Sequence, residues 1–127
     1  MKEEITKHLK RTEELLIVAK ELIQNEHYSD SISRSYYAIF HAATAILKEI
    51  GIERKSHHAL WAAFGEFITS KGLMDVKYHR YALDAFSERS LSDYLSQPED
   101  TREDAQNNLE KASEFVNACR IYLNRSQ

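Results

Sequence analysis

Apolar residues recur along this chain at alternating steps of three and four positions, the spacing that places them on one face of an α-helix. Five segments carry the pattern, at roughly residues 3–25, 30–50, 57–70, 75–95 and from 102 onward. No segment alternates between apolar and polar residues as a half-buried strand does. We therefore expect an all-α protein, an antiparallel up-and-down bundle of four long helices plus a shorter fifth helix.

Residues that favour helix ends stand between these segments. Gly51 follows the second segment, where a helix commonly ends in a left-handed residue. Side chains typical of helix starts precede three segments: Ser29 or Asp30, Ser56, and Thr101 with Asp104 as a capping box. In the fourth segment four apolar residues are expected to face the core: Val76, Leu83, Phe86 and Leu91.

Composition narrows the class of protein further. With 127 residues the chain is expected to form one domain, over residues 1–127. A net charge of −3 is unlike that of a protein that coats nucleic acid, and we expect no DNA ligand. Cys119 is the only cysteine, which excludes an intrachain disulfide and a cysteine zinc cluster. The charged N-terminus does not resemble a signal peptide, so we predict a cytoplasmic protein without membrane contact.

The second helix carries polar residues on the side opposite its apolar stripe. Arg34 and His41 stand seven positions apart, so they share one helix face about two turns apart, with Tyr37 between them. A histidine that titrates near neutral pH moves protons, and a guanidinium holds phosphate oxygens in pairs. Metal-independent RNA cleavage requires little more than these two abilities. An equally weighted alternative is structural, with Arg34 paired to a carboxylate and His41 hydrogen-bonded at a packed surface.

Two further groups of residues are candidates for binding. Arg89, Asp93 and Tyr94 stand near the end of the fourth helix, although an exposed ion pair and a rim aromatic explain them more simply. His57 begins the third helix, where the helix N-terminus attracts anions, but a structural role there is the favoured alternative. Its neighbour His58 points in a different direction and no second ligand pair follows. We therefore expect no metal site and no cofactor.

These residues together resemble the HEPN family of small helical domains. Residues 34–42 read Arg-Ser-Tyr-Tyr-Ala-Ile-Phe-His-Ala, which is similar to the R-x-Y-Y-A-x-F-H-A signature of stand-alone prokaryotic HEPN proteins. Three later features agree with the family: Lys55-Ser56-His57, Phe64-Gly65, and an R-x-x-x-D-Y segment from Arg89 to Tyr94. The resemblance spans nearly the whole chain, in the same order.

The resemblance implies a homodimer that is often encoded beside a minimal nucleotidyltransferase, as a toxin–antitoxin pair. It also implies metal-independent endoribonuclease activity, from an arginine followed by a histidine after four to six residues. Here Tyr94 occupies the histidine slot of the late motif, and the spacing is met by Arg34 and His41 instead. Two arrangements stay open: Arg89 and Tyr94 bind RNA or nucleotide without cutting it, or His41 supplies the proton carrier from the neighbouring helix.

Three functions follow as hypotheses from this resemblance. The leading one is a HEPN protein that acts on RNA or nucleotide phosphates as part of a toxin–antitoxin or defence module. In its enzymatic form His41 carries the proton while Arg34 and Arg89 hold phosphate. The residues expected to bind the substrate are Tyr37, Tyr94, Asp93 and His57. The alternatives are a non-catalytic nucleotide-binding adaptor for a nucleotidyltransferase and a purely structural dimer. Where the partner enzyme adenylates the toxin, Tyr94 is the expected acceptor.

Overall fold

The computed structural model describes residues 2–95 and 98–125, and every regular element in these ranges is helical. The helices are α1 (Glu3–Gln24), α2 (Tyr28–Glu49), α3 (His57–Phe64), α4 (Lys77–Tyr94) and α5 (Arg102–Arg125). The short α3 continues directly into a π-helical turn at Gly65–Thr69. The predicted all-α class and the number of helices are confirmed. None of the helices within the described ranges has the length and apolar character needed to span a membrane.

Helix α2 is the centre of the bundle, and it packs against α1, α4 and α5. Near its start, the Ser31 hydroxyl donates to the carbonyl of Ala19, late in α1, at 2.8 Å. Near its end, Lys48 pairs with Glu4 at the start of α1, at 3.6 Å. These two contacts show that α1 and α2 run antiparallel. Helices α4 and α5 also run antiparallel, since Lys77 at the start of α4 pairs with Glu114, and Glu88 later in α4 contacts Asn108 near the start of α5.

Large side chains from α2, α3 and α5 fill the core. Trp61, Tyr36, Phe64 and Phe115 are each at most 2% exposed, and Trp61 meets Phe115 edge to face with 6.4 Å between ring centroids. Cys119 is completely buried beside them, and burial raises the pKa of its thiol. The cysteine is therefore an apolar core residue rather than a reactive thiol.

Most of the predicted helix ends are observed. The Ser56 hydroxyl accepts a hydrogen bond from the backbone N–H of Ala59 at 3.0 Å, as an N-cap does. Thr101 and Asp104 form the reciprocal capping box, with N–H to oxygen distances of 2.9 and 3.1 Å. Gly51 has a φ of 78°, the left-handed conformation expected after a helix.

The predicted cap of α2 is wrong. The helix begins at Tyr28, before both candidate caps, and its N-cap residue His27 makes no side-chain capping hydrogen bond. Ser29 instead donates to the Asp100 carboxylate at 2.7 Å, and Ser92 of α4 donates to the same oxygen at 2.6 Å. Ser29 therefore forms a tertiary hydrogen bond with Asp100 instead of capping α2.

The predicted inward face of α4 is also wrong. Val76, Leu83 and Leu91 are 62%, 43% and 59% exposed, and among the four predicted residues only Phe86 packs against the core. The residues that α4 buries are small ones: Ala82, Ala85 and Ser92. Phe86 and Arg89 of α4 contact the tyrosine rings of α2, and the ring centroids of Tyr36 and Phe86 are 5.5 Å apart. Packing against these large rings, rather than apolar periodicity, decides which side of α4 faces inward.

Candidate functional site

A fixed arginine lies where α4 crosses α2. The Arg89 Nη2 donates to the Tyr37 hydroxyl at 2.7 Å, and its Nε lies 2.8 Å from an Asp93 carboxylate oxygen. The guanidinium also lies over two aromatic rings, 5.1 Å from the Tyr37 centroid and 5.8 Å from that of Tyr36. Contacts with both helices therefore hold the charge in one place.

The guanidinium keeps unused hydrogen-bonding capacity in spite of these contacts. Its Nε is buried and makes no directed hydrogen bond to any residue that the structure describes, although the Asp93 carboxylate is close. That contact is therefore an ion pair without a well-aimed N–H. The Asp93 side chain is 50% exposed and sits on the following turn of the same helix, so it is free to turn away. A buried donor without an acceptor favours an anion at this position.

Tyr36 joins this arginine to a histidine from α3. The Trp61 Nε1–H donates to the Tyr36 hydroxyl oxygen at 3.1 Å, and the His57 Nδ1 lies 2.5 Å from the same oxygen. Because indole only donates, we assign the hydroxyl proton of Tyr36 to the bond with His57 Nδ1. The second ring nitrogen of His57 then carries its proton and can donate to a ligand.

Burial sets the charge of these groups. Burial raises the pKa of Tyr36 to about 12, so its phenol stays protonated at neutral pH. Burial, and then the nearby charge of Arg89, lowers the pKa of His57. The His57 ring lies parallel to that of Phe86, with 5.5 Å between centroids. The site thus combines one permanent cation with an uncharged imidazole and a phenol donor.

We call Tyr36, Tyr37, His57, Arg89 and Asp93 the Arg89 cluster. Arg89 and His57 approach Tyr36 from different helices, so the cluster places a guanidinium and an imidazole around one aromatic ring. That combination suits a phosphate group, which the guanidinium attracts and both residues can hydrogen-bond. Within the described ranges no three histidine, cysteine, aspartate or glutamate side chains are grouped to hold a metal ion.

Comparison with known proteins identifies the family. A model of the HEPN domain matches residues 5–122. The chain belongs to the HEPN family. A Methanocaldococcus jannaschii protein whose name calls it a candidate toxin is 32% identical over 123 residues, covering 97% of this chain and 91% of the relative.

Two further relatives carry the name UPF0332 protein. The one from Pyrococcus horikoshii is 39% identical over 90 residues, which cover 71% of this chain and 63% of the relative. The one from Gloeobacter violaceus is 31% identical over 114 residues, which cover 89% of this chain and 90% of the relative.

The HEPN domain does not bring Arg34 and His41 together with a common partner. The Arg34 side chain is exposed and forms no hydrogen bond or ion pair with any residue in the described part of the chain. His41 instead faces α1, where its Nδ1 lies 2.9 Å from the Nδ1 of His8. Burial, and then the proximity of His8 and Arg11, lowers the pKa of His41 to about 4. At neutral pH it is uncharged and a weak proton acceptor.

Tyr94 and His57 also take positions that the motif alone does not reveal. Tyr94 is 86% exposed at the end of α4, whereas the HEPN motif led us to expect it beside Arg89 at a substrate site. His57, which we expected at a helix start, is both at that position and within the Arg89 cluster.

Sequence reasoning missed two residues of the HEPN domain that matter to these contacts. Tyr36 looked like an ordinary core residue, and it is fully buried, but its hydroxyl connects Trp61 to His57. His8 stands beside the apolar stripe of α1, and nothing local marks it as a partner for His41. Only the register between α1 and α2 decides that contact.

Proposed function

We propose that this HEPN protein binds the phosphates of RNA or nucleotides at the Arg89 cluster, as the toxin component of a cytoplasmic two-gene module. The observation that carries the proposal is Arg89 itself. Its guanidinium is fixed by Tyr37, and its buried Nε still has no directed hydrogen bond within the described residues. The toxin role is supported by relatives whose names call them candidate toxins.

The arrangement around Arg89 supports phosphate as the ligand class. Arginine offers donors in a planar fork that matches two phosphate oxygens, and the aromatic rings beneath it restrict its orientation. The Asp93 carboxylate lies 2.8 Å from Nε, at the position where an anion would bind. A phosphate would displace this carboxylate and accept in addition from the outer nitrogen of His57. Replacing Asp93 with asparagine should therefore strengthen phosphate binding.

RNA cleavage is the second candidate, and His57 is the observation in its favour. Its imidazole is uncharged at neutral pH and lies in the same cluster as a phosphate-stabilising cation. In this version His57 would adopt its other tautomer, with Nδ1–H donating to the Tyr36 oxygen, so that its outer nitrogen accepts the proton of the ribose hydroxyl and passes it to the leaving oxygen. Arg89 would stabilise the phosphorane. His41 contributes to neither step, because it faces His8 on α1.

The test combines binding and cleavage in the presence of EDTA. We would measure the affinity for a fluorescent uridine-rich RNA and for ADP, and cleavage of a fluorescence-quenched RNA, in wild type, Arg89→Gln and His57→Asn. Arg80→Gln is the matched control, because Arg80 is an exposed arginine of the same helix. We expect Arg89→Gln to weaken binding about tenfold or more, the value of a charge-assisted hydrogen bond, and Arg80→Gln to leave it unchanged.

The outcomes separate the two candidates. Binding without cleavage would establish a phosphate-binding module. Cleavage that disappears in His57→Asn, while the variant still binds RNA, would establish a metal-independent ribonuclease. Equal binding by wild type and Arg89→Gln would contradict the proposal.

We propose a homodimer that forms through the exposed apolar side of α4. Leu83 and Leu91 are 43% and 59% exposed there, and Tyr94 extends the same side. Arg89 and Asp93 lie on adjacent turns of this helix. Arg89 faces α2 rather than this side, so the proposed interface and the phosphate site would be separate surfaces of α4.

A minimal nucleotidyltransferase is the proposed partner, and Tyr94 is the proposed acceptor of adenylate. Its side chain is 86% exposed, as a modified residue must be. After co-expression with the nucleotidyltransferase of the same gene pair, the intact mass should increase by one or more adenylates. The increase should be absent from Tyr94→Phe. An unchanged mass in the wild type would contradict this assignment.

A further inference from the structure

A cavity with basic residues lies between α1 and α2, apart from the Arg89 cluster. It has a volume of about 380 Å³ and shares no residue with that cluster. The residues that line it are mostly basic: Glu4, Lys7, His8, Arg11, His41 and Lys48. We call it the His8–His41 cavity. No role for it follows from the proposed function.

Two imidazoles meet at the wall of this cavity. The Nδ1 atoms of His8 and His41 are 2.9 Å apart and the ring centroids 5.1 Å apart. A hydrogen bond between two ring nitrogens needs one proton between them, so the pair carries at most one positive charge while the bond lasts. Burial lowers the pKa of both rings, and the charges of Lys48 and Arg11 lower them further. The pair is therefore uncharged at neutral pH.

The charged groups around the pair attract an anion. Lys7, Arg11 and Lys48 are positively charged, and among the described residues Glu4 is the one carboxylate that lines the cavity. Their present partners are glutamates on the outside of the protein: Glu3 for Lys7, Glu14 for Arg11, and Glu4 with Glu53 for Lys48. These glutamate side chains are 52–83% exposed, and exposed ion pairs exchange easily because each is worth little.

We propose that the His8–His41 cavity binds a phosphate group and that the histidine pair takes up a proton from solvent when it does so. The phosphate would accept from Arg11, Lys7 and Lys48. Its negative charge would offset the repulsion that keeps the pair neutral, so one imidazole becomes an imidazolium that still donates to the other. A metal ion is disfavoured in the same place, because three cationic side chains surround it.

The proton uptake predicts how affinity changes with pH. Between pH 7.5 and pH 5.5 the binding of an anion whose own charge is constant should become tighter, because the proton needed by the pair becomes more available. Sulfate meets this condition and has the shape of phosphate, so it is the probe for proton uptake. The groups that face the pair are Glu4, Lys7 and Arg11 from α1, and Lys48 from α2. The exposed Glu53 reaches the site only through Lys48.

The first experiment is an NMR titration of the histidine side chains with sulfate, together with calorimetry in two buffers of different ionisation heat. We expect the His8 and His41 signals to shift in parallel, and we expect net proton uptake per sulfate bound. A uridine oligonucleotide and ADP, used as competitors, distinguish an RNA backbone from a free nucleotide as the source of phosphate. Unmoved signals of the pair at saturating sulfate would overturn the proposal.

Four variants sharpen this test. Arg11→Gln should weaken sulfate binding about tenfold, the value of a hydrogen bond to a charged group. Glu4→Gln should strengthen binding, because it removes a competing carboxylate from Lys48. Lys20→Gln is the matched control, since it removes one charge from an exposed position of α1 outside the cavity. Arg89→Gln should remove sulfate bound at the Arg89 cluster while the His8 and His41 signals still shift with sulfate, which separates the two sites.

Two results would contradict the proposal. Equal weakening by Lys20→Gln and Arg11→Gln would mean that sulfate responds only to the overall charge of α1. Zinc binding at the pair that weakens in Glu4→Gln, with no response to sulfate, would mean that the two histidines with Glu4 form a metal site. Circular dichroism of each variant establishes that the helices are intact.

Discussion

Arg89 donates a hydrogen bond to the hydroxyl of Tyr37 across 2.7 Å, although the two residues are 52 positions apart in the chain. Tyr37 belongs to the early motif on α2 and Arg89 to the late motif on α4. The contact therefore joins the two parts of the HEPN resemblance into one cluster. The hydroxyl of Tyr37, the second tyrosine of the motif, therefore orients the Arg89 guanidinium.

Removing the Tyr37 hydroxyl should release Arg89 while the helices stay packed. We expect Tyr37→Phe to lower the free energy of unfolding by about 0.5–1.5 kcal/mol and to weaken phosphate binding less than Arg89→Gln does. Urea unfolding and fluorescence binding measure the two effects. Tyr28→Phe is the control, because Tyr28 contacts Arg102 through its ring, with 5.2 Å to the centroid. An equal loss of stability and of phosphate binding in Tyr28→Phe would mean that the Tyr37 hydroxyl does not orient Arg89.

The Tyr36 hydroxyl should matter more for stability. In Tyr36→Phe the buried Trp61 Nε1–H and the His57 Nδ1 both lose their partner. An unsatisfied buried donor costs about 1–3 kcal/mol, and we expect urea unfolding to show a loss in this range. Tyr94→Phe removes the same atom from a residue that is 86% exposed, and should change stability by less than about 0.5 kcal/mol. Equal stability of both variants would refute the assigned hydrogen bonds.

Gly65 should tolerate no side chain while His79 is present. A Cβ at Gly65 would lie 2.9 Å from His79 Cε1, and that ring is held by a 2.9 Å hydrogen bond from Nε2 to the Trp61 carbonyl. The crowding costs about 1–3 kcal/mol, which exceeds the gain of at most about 1 kcal/mol from alanine's higher helix propensity. We therefore expect Gly65→Ala to lower the melting temperature.

The same change in a His79→Ala background provides the control. Without the imidazole the added methyl group has room, so only the helix-propensity gain remains and Gly65→Ala should raise the melting temperature. A decrease of the same size in both backgrounds would mean that backbone strain, and not His79, is responsible.

Stability should fall as the pH drops from about 6.5 towards 4. In the folded protein the pKa of His41 is lowered to about 4 and that of His8 is lowered as well, whereas both rings bind protons near their ordinary value of 6.5 when the chain unfolds. The unfolded state therefore binds more protons in this window, and stability decreases by up to about 1.4 kcal/mol per pH unit for each ring. Above pH 6.5 both rings are uncharged in the folded and the unfolded protein, so they no longer make stability depend on pH.

A variant isolates this contribution from that of the carboxylates, which titrate at the lower end of the window. We expect the stability of His41→Gln, measured by urea unfolding at several pH values, to fall less steeply between pH 6.5 and 5 than that of the wild type. Parallel curves would show that His41 is not held in its neutral form.

A charged residue on the exposed side of α4 should separate the proposed dimer. We expect wild type to sediment as a dimer and Leu91→Asp as a monomer, because an unpaired carboxylate inside an apolar interface is costly. Ile17→Asp is the control, since Ile17 is a similarly exposed apolar residue on α1, at 61%. A monomeric wild type, or dissociation by Ile17→Asp alone, would show that α4 is not the interface.

The sequence predicted helix caps correctly where the capping partner lies only a few residues away in the chain. Ser56 caps the residue three positions later, and Thr101 pairs with Asp104 over the same short distance. Ser29 failed as a cap because Asp100, 71 positions away, offers its hydroxyl a better-placed acceptor. No pattern within one helix contains that information.

The side of α4 that faces inward also depends on contacts with another helix. Apolar periodicity placed Leu83 and Leu91 inward, but they are exposed, because α4 turns Phe86 and Arg89 towards the rings of Tyr36 and Tyr37 on α2. The seven-residue spacing places Arg34 and His41 on one side of α2, but no contact joins them within the described residues. His41 turns to His8 on α1.

The sequence by itself determined the helical class, the number and approximate limits of the helices, and the likeness to the HEPN family. Those properties depend on periodicity and on contacts between residues a few positions apart, which the order of residues specifies directly. Tertiary structure alone decided which polar side chains meet: Arg89 with Tyr37, His57 with Tyr36, and His41 with His8. Those meetings depend on the register and rotation of one helix against another, which the packing of large and small side chains sets across the whole bundle.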